Sequence, residues 1–222
     1  MDDKKICFIS CVNDPSCYRE CLLYLQHLLL PPDMQAEYLS VEHADSMAAG
    51  CNQAMRQSDA KYKIYLHQDV FLIQKDILTQ CIHFFVDHPA CGMIGLAGCE
   101  KLPASGIWWK ARKQYGTIAH VYEPEEIRIK VFGETSSVHA VEAIDGLFMA
   151  TQYDICWRED IFQGWHFYDI SQCMEFKRHG YGAVILPQQS PWAVHACGRK
   201  ELGTDYSRWQ ERFLQEYESE IN

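Results

Sequence analysis

Short apolar runs alternate along this chain with longer segments in which apolar positions recur every three or four residues. The run 6–11 is almost continuously apolar, as expected of a central strand covered on both faces. Over 16–30, Tyr18, Cys21, Leu22, Leu25, Leu28 and Leu29 gather on one side of a predicted helix that Pro31-Pro32 stops. The run 36–41 predicts a second strand. Asp45 or Ser46 then caps a helix to about residue 57, with Met47, Ala48, Cys51, Ala54 and Met55 inward. The run 62–66 predicts a third strand ending in His67-Gln68-Asp69, and a helix over 75–88 leads to a strand at 92–97. Strand–helix repetition of this kind implies an α/β fold with a mostly parallel sheet and right-handed crossovers. Ligands of such sheets sit at the carboxyl ends of the strands, where Asn13-Asp14 and His67-Gln68-Asp69 fall.

The pattern then changes. Residues 101–115, with Pro103, Gly106 and the pair Trp108-Trp109, show no period and read as a surface excursion. Its indoles are either a staple over the core or a stacking platform for a ring. The runs 117–122, 127–132 and 138–143 are strand-like, with connections too short for crossover helices, so an antiparallel add-on is expected. Asp145-Gly146 signals a turn before another apolar run, 147–151. A helix over 170–179, a strand at 182–186 and an amphipathic helix over 205–220, with Trp209, Phe213 and Tyr217 inward, complete the chain. Neither a repeat nor a linker interrupts it, so residues 1–222 are expected to form one domain.

Four places carry candidate chemistry. In Gly164-Trp165-His166-Phe167-Tyr168-Asp169 the aspartate falls at or just before a predicted helix N-terminus. The helix dipole favours its ionised form there by roughly 0.3–1 kcal/mol. Asp169 is thus either a general base for a hydroxyl or a helix cap. His67 and Asp69, two apart on an extended chain, would share a side and could hold a divalent cation, or simply face water at a strand end. His195, delivered by Trp192-Ala193-Val194, is a third ligand or a structural histidine. Carboxylate and imidazole with phosphate oxygens suit Mn²⁺ or Mg²⁺ better than a closed zinc site. Asp14 reads as a cap or a nucleotide contact, Asn52 as a helix position within reach of a ligand, and Asp145 as a turn residue or part of an acceptor site.

The net charge of −10 excludes a general nucleic-acid binder and means that a phosphorylated ligand would need a cation or local amides. No Gly-x-Gly-x-x-Gly follows the first strand and no P-loop occurs, which argues against nicotinamide, flavin and P-loop enzymes. The eleven cysteines include no Cys-x-x-Cys pair, as expected of thiols in a reducing compartment. With no apolar leader and no run long enough to span a bilayer, the expected location is cytoplasmic.

Three stretches carry a resemblance: Tyr65-Leu66-His67-Gln68-Asp69-Val70-Phe71, residues 143–151 around Asp145-Gly146, and Gly164 to Asp169. They are similar to GT-A fold, family 2-like glycosyltransferases, and to the bacterial StrF-type glycosyltransferase-like family, over nearly the whole chain. The resemblance implies a GT-A fold with a nucleotide-binding half (1–100) and an acceptor-side half (101–222). It implies a hexosyltransferase-like enzyme, metal-dependent and inverting, taking a nucleoside-diphosphate sugar donor and a hydroxyl acceptor, in polysaccharide or glycoconjugate assembly or in antibiotic tailoring. Asn13, Asp14, Asn52, Gln68, Trp108, Trp109, Asp145, Gly146, Gly164, Trp165, His166 and Tyr168 would contact substrates. The Asp-x-Asp metal motif of such enzymes falls on His67 and Asp69, so its first carboxylate is replaced, and His195 matches a late metal ligand. In the Gly-Trp-x-x-Glu-Asp motif Tyr168 replaces the glutamate and Asp169 keeps the base position. The replaced carboxylate also leaves room for a non-catalytic module that binds a nucleotide sugar or glycan. A metal-dependent phosphohydrolase would need more clustered carboxylates than the sequence offers.

Overall fold

In the computed structural model, which describes residues 1–123, 126–198, 203 and 205–221, the first apolar run lies inside strand β1 (Asp2–Val12). Its alternation sends Ile6 and Phe8 into one core layer and Cys7, Ile9 and Cys11 into the other. Strands β2 (Gln35–Glu42) and β3 (Ala60–Leu66) pair with it in parallel, through helices α1 (Pro15–Gln26) and α2 (Met47–Gln57). Asp14 caps α1 by accepting from the amides of Ser16 and Cys17, and Ser46 caps α2 through the amide of Ala49. Such caps contribute about 1 kcal/mol each.

Next come β4 (Val70–Leu72), α3 (Ile77–Asp87), β5 (Cys91–Gly95), β6 (Ala97–Cys99), β7 (Gln114–Glu123) and β8 (Glu126–Phe132). The chain continues through β9 (His139–Val141), β10 (Ala143–Ile144), β11 (Phe148–Thr151), α4 (Tyr168–Arg178), β12 (Gly182–Ile185), β13 (Ala193–His195) and α5 (Tyr206–Tyr217). The main sheet has seven strands in the order β2-β1-β3-β11-β5-β12-β9, and only β11 and β9 run against the rest. The second sheet runs β10-β6-β7-β13-β4, with β8 paired to β7, and is antiparallel except between β13 and β7.

Several expectations need correction. The predicted strand 138–143 is two strands in different sheets, because the chain turns at Glu142, whose amide bonds to the carbonyl of Cys99. The strand predicted over 92–97 likewise divides into β5 and β6. Strands β4 and β13 are three residues each, too short for a periodic signal. The excursion 101–115 is not wholly superficial: Leu102, Ile107 and Trp108 are buried, and residues 108–110 form a 3₁₀ turn.

Two chain crossings between the sheets position the site. The turn 67–69 passes from β3 in the main sheet to β4 in the second, and Asp145-Gly146 passes from β10 back to β11. They lie side by side, since the amide of His67 donates to the carbonyl of Leu147 at 3.2 Å. Helix α5 closes the third side. Trp209 packs on Gly164, where an added Cβ would lie 2.8 Å from Trp209 Cζ2. Phe213 packs on Phe162 and Phe167, and Tyr217 bonds to Ser171 and Glu175, each at 2.8 Å.

Candidate active site

Phe167, the cap residue just before α4, has φ +62°, a left-handed conformation that a bulky L-residue adopts at a cost of roughly 1–2 kcal/mol. Its ring is held between Tyr206 and Phe213, with centroids at 5.0 and 5.4 Å. The strained residue turns the chain so that Tyr168 and Asp169, the first two residues of α4, face the seam between the sheets. Asp169 is therefore not the helix cap, which is Phe167.

The Asp169 carboxylate accepts from the amide of Gly146 at 3.0 Å. It keeps some surface open to the pocket, yet protein encloses it closely enough to withdraw most of its hydration. Burial, reinforced by the nearby Asp145 carboxylate, raises its pKa to about 7, against the pull of the amides of Ile170 and Gly146. The helix terminus was expected to favour the ion; desolvation outweighs it. Gly146 is required here, since a Cβ would lie 2.8 Å from Tyr168 Cζ and 2.9 Å from Asp169 Cβ.

His67, Asp69 and His195 come together. His195 Nε2 lies 3.4 Å and His67 Nδ1 4.0 Å from Asp69 Oδ1, and one ligand atom from each of the three lies within 4.8 Å of the others. The shared side does not come from an extended strand. Residues 67–69 form a turn, closed by the amide of Val70 on the carbonyl of His67, and His195 arrives opposite Val70 on β13. The Tyr168 hydroxyl meets His67 Nε2 at 2.6 Å, fixing the ring with Nδ1 toward Asp69. Two imidazoles and a carboxylate, one imidazole oriented by an outer partner, are a donor set that fits a divalent cation.

The pocket around these groups has a volume of about 400 Å³. His67, Asp69, His195, Asp145, Tyr168 and Asp169 line its polar side, and Trp108, Trp109, Trp165, His166, Tyr122 and Tyr206 supply rings. The tryptophan pair divides its labour: Trp108 is buried against the core, whereas Trp109 and Trp165 are 40% and 45% exposed. A neighbouring hollow of about 450 Å³ shares Trp108, Trp109 and Asp145 and adds Gln114, Ile118, His120 and Lys130. Burial, with His195 and Lys130 nearby, lowers the His120 pKa to about 4.

The remaining expected residues lie apart. Asn52 is fully buried, its amide bonded both ways to the backbone of Trp157 at 2.8 and 2.9 Å, so it fastens α2 and does not reach the pocket. Asn13, Asp14 and Gln68 form their own cluster at the end of β1: Gln68 Oε1 accepts from both amides, and its amide nitrogen donates to Asn13 Oδ1. Gly164 supports from beneath, on Trp209. Sequence reasoning missed Tyr206, His120 and Tyr122. The alternation of β7 could have placed the latter two on one face.

A family model described as "Glycosyltransferase like family" matches residues 7–217. No curated protein sequence matches the chain. Among solved structures, a mannosyltransferase of Pyrobaculum calidifontis, in complex with GDP-Man and Mn²⁺, is 14% identical with a TM-score of 0.55. TarS of S. aureus is 10% identical with a TM-score of 0.55, and GalNAc-T7, with UDP, GalNAc and Mn²⁺, is 7% identical with a TM-score of 0.67. The matches cover 96%, 97% and 96% of this chain but only 61%, 72% and 48% of those chains. No helix among the described residues is long and apolar enough to cross a membrane. With a family match over residues 7–217, and solved structures that align over 96% or more of its length, the chain belongs to the glycosyltransferase-like family and has the GT-A fold.

Proposed function

We propose that the chain transfers a sugar from a nucleoside-diphosphate sugar to a hydroxyl acceptor, with inversion, using Asp169 as general base. One observation carries the reading: a carboxylate with pKa near 7 shares an aromatic-lined pocket with a two-imidazole, one-carboxylate cluster. A base titrating near neutrality is matched to removing a proton from a hydroxyl as it attacks. GDP-Man and Mn²⁺ in one related fold, and UDP, GalNAc and Mn²⁺ in another, support the donor class.

In this reading Asp169 takes the acceptor O–H proton while that oxygen bonds to the anomeric carbon. The bond from that carbon to the diphosphate oxygen breaks, and the nucleoside diphosphate leaves with the electron pair. A divalent cation held by His67, Asp69 and His195 would supply positive charge against the diphosphate. The Gly146 amide orients the base, Tyr168 orients His67, and Trp165 and Trp109 offer exposed ring faces to a sugar. Residues 1–100 serve the donor, with Asn13, Asp14 and Gln68 at its rim, and 101–222 serve the acceptor while lending His195 to the donor's cation.

The presence of His67 where related motifs carry a carboxylate favours a second reading, a module that binds a nucleotide sugar or glycan without turning it over. Asp169→Asn separates the two. Transfer predicts that nucleoside-diphosphate release from a sugar-nucleotide panel falls at least about 100-fold, in the range of general-base effects, with nucleotide affinity nearly unchanged. A wild-type protein that binds a nucleotide sugar yet gives no acceptor-dependent turnover would establish the binding module instead.

A further inference from the structure

The ring of His195 lies between two other histidines. Its centroid is 5.7 Å from that of His67 and 5.5 Å from that of His120. On the His67 side lies the Asp69 carboxylate. On the His120 side lies Cys197, whose Sγ is 3.7 Å from His120 Nδ1. His120 and His195 are partners across the β7–β13 pairing, and Cys197 follows two residues after His195. Backbone register therefore fixes this second cluster, and one donor atom from each of its three residues lies within 4.8 Å of the others.

The two clusters differ in chemistry. Carboxylate with imidazole suits a hard cation that also takes phosphate oxygens. Two imidazoles and a thiolate suit a borderline-soft one. With Zn–N near 2.05 Å and Zn–S near 2.3 Å, a tetrahedral zinc ion separates a nitrogen from a sulfur ligand by about 3.6 Å. The 3.7 Å between Cys197 and His120 already matches that edge. Cys197 also borders the pocket, where a water or a substrate atom could complete the coordination.

We propose that His120, His195 and Cys197 form a second cation site, selective for Zn²⁺-type ions, whose occupation withdraws His195 from Asp69. On binding, the Cys197 thiol releases its proton to solvent and its sulfur ligates as thiolate. A neutral imidazole has one lone pair to give, so His195 serves one cluster at a time. Zinc and the hard cation are then mutually exclusive, and zinc inhibits. The soft site stands on its own geometry; the exclusion and the inhibition rest on the proposed donor site.

The test uses Co²⁺ as a spectroscopic stand-in for Zn²⁺, on the whole protein under a non-thiol reductant. One equivalent of Co²⁺ gives a near-ultraviolet thiolate-to-cobalt band that one equivalent of Zn²⁺ abolishes. The band is lost in Cys197→Ser and in His120→Ala, with unchanged far-ultraviolet circular dichroism confirming that both variants fold. No band, or a band that survives in Cys197→Ser, overturns the site. In a second arm, bound Mn²⁺ is followed by electron paramagnetic resonance. One equivalent of zinc releases it from the wild type, and Cys197→Ser needs more zinc for the same release; an equal zinc requirement in the two proteins, or both ions bound together, would overturn the exclusion. A protein that shows the cobalt band but never binds Mn²⁺ keeps the soft site and removes the donor-site reading.

Discussion

Replacing Asp169 with asparagine should stabilise the protein, and by an amount that grows with pH. The folded state holds the Asp169 proton up to about pH 7, whereas the unfolded chain releases it near the ordinary value of 3.8. The folded pKa is raised, so the unfolded state binds fewer protons between these values. Stability therefore falls as pH rises from about 4, and the loss is complete above about 7. At 1.36 kcal/mol per pKa unit, the penalty is about 1.7 kcal/mol at about pH 5 and about 4 kcal/mol at about pH 8. Asparagine has the same shape, no charge, and an oxygen that can keep the Gly146 amide bond. Its constant offset against a protonated aspartate drops out when two pH values are compared. The stability gap between Asp169→Asn and wild type should thus widen by about 2–3 kcal/mol from about pH 5 to about pH 8. For a chain of this length that is a relative gain on the order of 5–10 °C in Tm. Urea unfolding of both proteins at the two pH values checks it. A gap that is independent of pH, or that widens toward acid, would refute the claim that burial and Asp145 hold this carboxyl neutral.

Three further outcomes follow from the same geometry. In the wild type, kcat/KM should rise with pH through about 7 as Asp169 ionises; Asp145→Asn removes the second cause of the raised pKa and should move that limb to lower pH, so a limb that stays put contradicts the assignment. Tyr168→Phe removes the 2.6 Å partner of His67 Nε2 and should weaken Mn²⁺ binding about 10–100-fold by calorimetry, the usual effect of losing an outer partner of a ligand. Lys63 is fully buried on β3, held by the Ala60 carbonyl at 2.6 Å and by Asp154 at 2.8 Å. Asp154→Ala strands that charge and should cost about 3 kcal/mol in urea unfolding, more than Lys63→Met, which removes the charge itself.

The sequence was most legible where one element makes its own pattern. The central strand β1, helices α1, α2 and α5, and the caps Asp14 and Ser46 follow from periodicity and local hydrogen bonding, which act within a few residues. The meeting of His67, Asp69, His195 and Asp169 was legible as residue types and through resemblance, but not as geometry. It depends on two crossings between sheets, and on β4 and β13, each three residues long. Asn52 shows the opposite failure: a polar residue on a helix suggested a ligand contact, yet its partner is a backbone 105 residues away. The Asp169 proton affinity was misjudged because the dipole is local and readable, whereas desolvation depends on what the whole fold packs around the carboxyl. His120 and Cys197 carried no signal as a pair, since only the β7–β13 register joins them.

The central claim is that His67, Asp69 and His195 mark a donor site, and calorimetric titration tests it most directly. UDP, GDP and dTDP would each be titrated with and without Mn²⁺, into wild type and into Asp69→Ala. The structure predicts that one nucleotide binds tightly only with Mn²⁺ and that Asp69→Ala loses this binding. Absence of binding by all three nucleotides, or equal binding by wild type and Asp69→Ala, would contradict it.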